Sequence, residues 1–210
     1  MKTKLLRITF FTLLGLVMLN IQTYANIIFV NENTPATPPN QTGTSWALAF
    51  EYMQDALFVA QPGDEIWIAA GPYYPDDSYN NPAIVNGDIG AGFLIHIDLS
   101  IYGGFEGWEQ SPNQRSSDIS LFPTIFSGNI GTNHSLSIMT FLFGISQHLD
   151  RVTIESSSNS SINTNVTTVR ISDCLIRNCM GYSSITIEGS SNITIENSII
   201  EGNTCTYTLR

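Results

Sequence analysis

The segment 193-ITIENSIIEGN-203 repeats the pattern of 169-VRISDCLIRNC-179. The aligned pairs are Val169 with Ile193, Ile171 with Ile195, Asp173 with Asn197, Leu175 with Ile199 and Ile176 with Ile200. Short β-branched runs that alternate with polar residues are typical of strands. A repeat of this length, built from strands, indicates a solenoid. The solenoid that stacks strands in successive coils is a parallel β-helix.

One small unit, a β-branched residue followed by Thr, Ile and Glu, recurs along this half of the chain. It occupies residues 152–155, 185–188 and 193–196. Successive side chains of a strand point to opposite faces, so each β-branched residue and each Ile should face the interior. The sequence therefore predicts an all-β fold, with regular coils over residues 132–210.

The N-terminal stretch, 1–25, has the pattern of a secretory signal peptide. Lys2, Lys4 and Arg7 precede a short apolar run, and Ala25 is a small residue suited to cleavage. The run is short for a transmembrane helix, and no later stretch is apolar enough to span a bilayer. An uncleaved N-terminal anchor is the alternative. We expect the rest of the chain, residues 26–210, to be secreted or held at the cell surface.

Residues 26–210 are strongly acidic. They contain no lysine, and five arginines stand against 18 acidic residues, which gives a formal charge of −13. Such a chain repels phosphate backbones, so nucleic acid is not an expected partner. The apolar content is ordinary, which argues against disorder.

Three cysteines allow two interpretations. Cys179 and Cys205 are separated by nearly one repeat, so they could stack on adjacent coils and form a disulfide. Alternatively, Cys174 and Cys179 are small buried apolar residues. None of the spacings is that of a zinc site.

The N-terminal part predicts a helix that closes one end of the solenoid. Ser45 suits an N-cap, and residues 46–60 carry one apolar stripe at three- and four-residue spacing. The stack's first coil would otherwise expose unpaired edges and an open core. Gln61-Pro-Gly-Asp64 ends the helix, a strand follows at residues 65–69, and residues 76–92 form an inserted loop.

Two segments resemble known families. Trp46, Gln54-Asp-Ala-Leu57 and Pro62-Gly-Asp-Glu-Ile-Trp-Ile-Ala-Ala-Gly71 look like the entry segment of pectin-lyase-like proteins. Three stretches resemble a block in large exported bacterial β-helix proteins, many of them on the cell surface: Tyr102-Gly-Gly-Phe-Glu-Gly107, Gln114-Arg115 and Pro123-Thr-Ile-Phe-Ser-Gly-Asn-Ile-Gly131. The resemblance implies a right-handed parallel β-helix, with its N-terminal cap and first coils over residues 26–131.

The last coil runs out at Arg210 without a polar, atypical terminal repeat, which predicts that the chain is truncated. An open end of this kind predicts fraying and edge-to-edge self-association.

Two acidic groups are candidate sites. Asp76, Asp77 and Asp88 could bind calcium with loop carbonyls, but their spacing matches no calcium motif, and solvated carboxylates explain them more simply. Glu106 and Glu109 flank Trp108, which suggests carbohydrate binding through a stacking ring and two acids. A glycosidase would need the two carboxylates roughly 5–10 Å apart across a cleft, which near neighbours on a loop rarely achieve.

The basic residues give no stronger site. His96 and His134 lack a partnered Ser, Cys or metal spacing, and His96 should be half-buried and hydrogen-bonded. The resemblance suggests a second comparison, because pectate lyases use a basic residue beside acid-bound calcium. The candidates for such a site are Arg151, Arg170 and Arg177, with Glu155, Asp173 and Glu188. The polygalacturonase signatures are absent.

No catalytic, cofactor-binding or metal-binding residue is therefore predicted. The leading hypothesis is an exported cell-surface β-helix protein of structural or adhesin type, with extracellular polysaccharide or a surface glycan as its partner. The alternatives are a lyase or glycosidase of the pectin-lyase-like group and a carbohydrate-binding module that uses the Trp108 loop.

Overall fold

The computed structural model describes residues 25–144, 146–165 and 167–209. The predicted signal peptide lies outside the described residues, except for Ala25. The first part of the chain forms β1 (Ile27–Val30), a 3₁₀ turn (Trp46–Leu48), α1 (Met53–Val59), β2 (Asp64–Ala69), β3 (Gly71–Tyr73), β4 (Phe93–Ile95), β5 (Leu99–Phe105), a second 3₁₀ turn (Pro112–Gln114) and β6 (Thr124–Ser127). The remaining strands are β7 (Asn129–Ile130), β8 (Asn133–His134), β9 (Ser137–Leu142), β10 (Gln147–Asp150), β11 (Val152–Glu155), β12 (Ser160–Asn165), β13 (Thr168–Ser172), β14 (Leu175–Arg177), β15 (Met180–Glu188), β16 (Asn192–Glu196), β17 (Ile199–Glu201) and β18 (Thr204–Leu209).

Three long parallel sheets contain all of these strands except the β7–β8 hairpin. Sheet A has the order β1-β2-β5-β10-β13-β16, sheet B the order β3-β6-β11-β14-β17, and sheet C the order β4-β9-β12-β15-β18. From β2 onward the chain passes through sheets A, B and C in the same cyclic order five times. We call each pass a circuit. The protein is thus all-β with one short α-helix, a topology compatible with the predicted parallel β-helix.

The repeat predicted from the sequence is the register of the last two circuits. Val169 pairs with Ile193 and Ile171 with Ile195 in sheet A. The same offset continues in sheet B, where Ile176 pairs with Ile200. This register prediction is confirmed.

The core consists of apolar columns that run across the sheets. In sheet A one column contains Ile28, Ile66, Ile101, Leu149, Ile171 and Ile195. Its first five members are buried, whereas Ile195 on the last strand is 36% exposed. Sheet B contributes Tyr73, Phe126, Ile154 and Ile176, and sheet C contributes Phe93, Met139, Ile162 and Ile185. Full burial of one such side chain contributes about 1.5–3 kcal/mol, so the columns provide a major stabilising contribution.

The corners between the sheets repeat as well. Between sheets A and B, Arg151, Asp173 and Asn197 follow equivalent strands, and their φ angles are 55°, 53° and 50°. The left-handed conformation is uncommon outside glycine, although Asn and Asp tolerate it best. The aligned pair Asp173 and Asn197 therefore marks a bend that recurs in successive circuits rather than a pair of functional side chains.

The prediction of one helix over residues 46–60 is wrong in its extent. Only Met53–Val59 is α-helical, after a 3₁₀ turn at Trp46–Leu48. Between them Phe50 is buried and forms a parallel bridge with Val30 of β1. Backbone pairing to β1 thus keeps this stretch extended. Ser45 precedes the 3₁₀ turn, but its side chain makes no capping hydrogen bond.

The helix nevertheless lies at the predicted end of the molecule. α1 packs against β1 and β4, the first strands of sheets A and C. Met53 and Ala56 insert into the core from this side, with exposures of 1% and 0%. The apolar stripe therefore correctly predicts that this segment contacts the core, although it overestimates the length of the helix.

The structure does not contain the Cys179–Cys205 disulfide. Cys205 pairs in register with Gly181, and the backbone N–H of Cys179 donates to the side chain of Asn203. The two cysteines are therefore out of register with each other. Cys174 and Cys179 are buried, with exposures of 2% and 0%, as the alternative interpretation predicted.

Over the described residues the α-helix and the 3₁₀ turns are all far too short to traverse a lipid bilayer.

Candidate functional site on the outer face of sheet A

The outer face of sheet A changes from aromatic to polar along the stack. Residues that alternate with the core column point outward, because side chains of a strand alternate between the two faces. One outward column contains Phe29, Trp67, Tyr102, Asp150, Ser172 and Glu196. The neighbouring column contains Ile27, Glu65, Ser100, His148, Arg170 and Thr194. Chemically versatile side chains are thus concentrated on one face.

Aromatic rings form a second apolar cluster on this face, separate from the core. Trp67 and Phe105 stack with ring centroids 5.0 Å apart and an interplanar angle of 12°. Phe29 meets the ring of Trp46 edge-on at 4.7 Å, and Trp46 lies 5.4 Å from Phe105. Each such pair is worth about 0.5–1.5 kcal/mol beyond its buried area. The cluster fixes Trp46, which precedes α1, onto sheet A.

A shallow groove of about 500 Å³ opens over this cluster. Ile27, Phe29, Trp46, Trp67, Trp108 and Glu109 line it, together with Thr44, Ser45, Ala47 and Gln110. Trp108 is 57% exposed, whereas Trp67 is 3% exposed at the base. We call this feature the tryptophan groove. A tryptophan that remains exposed beside a buried aromatic base is a feature of binding surfaces.

All three indole N–H groups of the groove have partners within the protein. Trp46 Nε1 donates to the carbonyl of Glu109, Trp67 Nε1 to Glu65 Oε2 and Trp108 Nε1 to Glu106 Oε2, each at 2.8 Å. These bonds fix the orientation of the rings. The groove therefore offers a ligand ring faces and hydrogen-bond acceptors, and it needs no indole donor to be satisfied by the ligand.

Glu109 organises the loop that carries Trp108. It is 2% exposed, and its carboxylate accepts the backbone N–H groups of Glu106, Gly107 and Trp108 at 2.7–3.0 Å. Burial raises the pKa of Glu109, but these hydrogen bonds outweigh it and hold the pKa below its ordinary value. Glu109 is thus a structural carboxylate. It is not placed opposite Glu106 across a cleft, as a glycosidase pair would require.

Arg115 fastens the same loop to the sheet. Its guanidinium donates to the carbonyl of Gly103 at 2.8 Å and forms an ion pair with Asp150 at 2.8 Å. The guanidinium carbon also lies 5.1 Å from the centroid of the Phe105 ring and 5.7 Å from that of Tyr102. These contacts are cation–π interactions in a partly desolvated setting. The loop over residues 106–118 is therefore held at its far end as well as at Glu109.

A polar network continues from Asp150 along the face. Ser172 Oγ donates to Asp150 Oδ1 at 2.8 Å and lies 2.8 Å from His148 Nε2. Burial lowers the pKa of His148, although nearby Asp150 acts in the opposite direction. In a catalytic triad the histidine stands between the serine and the carboxylate. Here the serine stands between them and its hydroxyl donates a hydrogen bond to Asp150, so the network suits positioning rather than nucleophilic attack.

The basic candidates from the sequence are divided among the faces. Arg170 pairs with Glu196 at 2.9 Å on sheet A, and both side chains are about half exposed. Arg151, Asp173 and Arg177 meet in a groove of about 300 Å³ on sheet B, where Glu155 forms an ion pair with Arg177. Glu188 belongs to sheet C. The structure therefore does not assemble the six residues into one site.

The three aspartates of the calcium hypothesis bind different partners. Asp76 accepts the N–H of Gly87, Asp77 accepts the side chain of Asn86, and Asp88 accepts the N–H of Gly90. Burial and the charge of Asp76 raise the pKa of Asp77. Within the described ranges, no three His, Cys, Asp or Glu side chains are grouped so as to hold a metal ion.

The two histidines singled out by the sequence lie away from sheet A. His96 is exposed on the wall of a groove beside α1, so the expectation of a half-buried residue is wrong. His134 ends the hairpin, and its Nδ1 is buried without a hydrogen-bond partner. Neither contributes to the tryptophan groove.

Sequence reasoning gave no functional role to four residues that complete this site: His148, Asp150, Ser172 and Arg115. A signal existed for the first two, because β10 pairs with β13 at nearly the offset of the later repeat, which aligns His148 with Arg170. Extending the repeat by one further circuit would have placed them beside the residues already considered. No repeat could have found Arg115, since its loop lies outside the strand pattern.

Comparisons of the chain with protein-family models, with curated proteins and with solved structures found no match.

Proposed function

We propose that the protein is an exported, right-handed parallel β-helix of the cell-surface type and that it acts without catalysis as an adhesin-type contact surface for glycans. The cyclic order of the three sheets and their continuous parallel register support the β-helix. The pattern of the N-terminal stretch, 1–25, supports export.

The tryptophan groove carries the glycan proposal. Sugars present flat C–H faces with hydroxyl groups at their edges, and an exposed aromatic ring with nearby acceptors complements both. Trp108 is the most exposed of the three tryptophans. The loop that carries it is fixed by Glu109 at one end and Arg115 at the other. A rigid aromatic platform of this kind loses little conformational entropy when a ligand binds.

Binding is favoured over hydrolysis by the roles of the carboxylates. Both carboxylate oxygens of Glu109 accept backbone N–H groups, and Glu106 accepts the indole N–H of Trp108. A general acid would need a raised pKa, whereas that of Glu109 is lowered. Both groups shape the loop and leave no acid–nucleophile pair at the groove.

Affinity electrophoresis of the purified protein in gels that contain soluble polysaccharides tests this function. The affinity calculated from the retardation should be at least about tenfold lower for Trp108→Ala than for wild type, because the exposed aromatic ring is the main contact. Tyr79→Ala is the matched control, since Tyr79 is an equally exposed aromatic, at 61%, on a loop away from the groove. Equal retardation of wild type and Trp108→Ala would exclude the groove as the glycan site. Shortening of the polysaccharide during incubation would instead support an enzyme.

A further inference from the structure

We infer that the tryptophan groove selects glycans that carry no carboxylate, sulfate or phosphate groups. The inference rests on the proposed function and specifies its ligand class. It follows from the charges around the groove, the position of the arginines and the hydrogen bonds that the groove leaves open.

Acidic side chains surround the aromatic rings. Glu65 accepts the indole N–H of Trp67, and Glu106 accepts that of Trp108. Glu109 lines the groove and accepts backbone N–H groups of the loop that carries Trp108. The first two carboxylates are within 2.8 Å of their indole nitrogens, so their positions are fixed relative to the groove. Like charges repel each other, and the repulsion is stronger beside a protein than in bulk water. An acidic sugar stacked on Trp108 would lie close to the carboxylate of Glu106, at the edge of that ring, and to Glu109 in the lining of the groove.

No described residue compensates for this repulsion at the groove. Its lining contains no arginine, lysine or histidine. The cation of the loop, Arg115, has a side chain that is only 7% exposed, and it is paired with Asp150. Sites that recognise carboxylate or sulfate groups ordinarily present arginine in a fork geometry, which is not available to a ligand here.

A neutral sugar, in contrast, finds complementary groups. Its apolar face can stack on Trp108, and its hydroxyls can donate to the exposed carboxylate of Glu106 beside that ring. Hydrogen bonds to charged acceptors are stronger than those between neutral groups. Thr44 and Ser45 add hydroxyls at the rim. The acidic rim therefore attracts hydroxyl donors while it excludes anions.

Titration calorimetry with hexasaccharides tests the inference. The ligands are cellohexaose, xylohexaose, mannohexaose and hexagalacturonate. At low ionic strength at least one neutral hexamer should bind, and hexagalacturonate should bind at least about tenfold more weakly. The difference in affinity between the neutral hexamers and hexagalacturonate should be smaller at about 0.5 M salt, because salt screens the repulsion.

A pair of charge variants separates local from overall charge. Glu106→Gln should increase the affinity for hexagalacturonate several-fold relative to the neutral hexamers. Glu201→Gln removes the same charge from an exposed position on the last strand of sheet B and should leave that ratio unchanged.

The outcomes distinguish the two proposals. The selectivity would be wrong if hexagalacturonate bound wild type as tightly as the neutral hexamers and did not bind Trp108→Ala. The proposed glycan site would still be supported by that result. Failure of every hexamer to bind would overturn the proposed function and the selectivity with it.

Discussion

Arg115 and Asp150 form the ion pair that joins the loop after β5 to β10, with Nη2 and Oδ2 2.8 Å apart and side-chain exposures of 7% and 10%. Asp150 also accepts a hydrogen bond from Ser172. The pair therefore links the tryptophan groove to the polar end of sheet A. A buried charge that loses its partner is strongly destabilising, which makes this relationship testable.

Arg115→Gln should lower the free energy of unfolding by about 3 kcal/mol, because it leaves Asp150 buried without its ion-pair partner. Arg170→Gln breaks the exposed pair with Glu196 on the same face and should cost much less, because solvent screens that pair. Urea denaturation followed by tryptophan fluorescence measures both. Similar losses in the two variants would show that the Arg115 pair is not buried in solution.

Glu109→Gln should remove a part of the pH dependence of stability. The folded-state pKa of Glu109 lies below its ordinary value, so its ionised form stabilises the native protein above that ordinary value. This contribution is lost as the pH falls through the folded-state pKa. The difference in stability between wild type and Glu109→Gln should therefore shrink between about pH 7 and about pH 3. A constant difference over this range would contradict the role of Glu109.

Ile171→Ala and Ile195→Ala make the same change in adjacent strands of one core column. Ile171 is completely buried, so its truncation should cost about 3–4 kcal/mol through lost burial and a cavity. Ile195 is 36% exposed on the edge strand and should cost no more than about 1.5 kcal/mol. Equal costs, measured by urea denaturation, would mean that the last circuit is covered in solution.

Substitutions of Asn197 test the left-handed backbone conformation at a corner between sheets A and B. Its φ is 50° and its side chain is exposed. Asn197→Gly should change stability by less than about 1 kcal/mol, because glycine adopts this conformation without a steric penalty. Asn197→Val should destabilise by about 1–2 kcal/mol, since a β-branched residue is strained there. Thermal unfolding of the two variants side by side measures the difference. If Asn197→Val were as stable as Asn197→Gly, residue 197 would not have the left-handed conformation.

The regular half of the fold is readable from the sequence because each circuit there has nearly the same length. Nearly equal offsets between successive strands keep Leu149, Ile171 and Ile195 in one column. In the first circuits the equivalent offsets are larger. Leu99, for example, pairs with Gln147, and the loop over residues 106–118 and the β7–β8 hairpin lie between them in the sequence. Period-based reasoning fails where loops of unequal length interrupt the strands.

The candidate site is only partly predictable for a related reason. Trp108 with its two flanking glutamates is a local pattern that the sequence shows directly. The groove also needs Trp46, whose indole bonds to Glu109, a residue far away in the chain. No local signal places these two segments together. The sequence predicts a helix where a 3₁₀ turn positions Trp46. Phe50 fits the apolar spacing of a helix, although it is buried because it pairs with β1.

The even register of the last three circuits has a consequence for how such a chain can change. Each strand there meets its equivalent in the next circuit, so a duplicated circuit would find a matching surface above and below it. Duplication would lengthen the molecule by one strand spacing, about 4.8 Å, without requiring a new core. The length of the molecule can therefore change in steps of one circuit without altering the tryptophan groove at its other end.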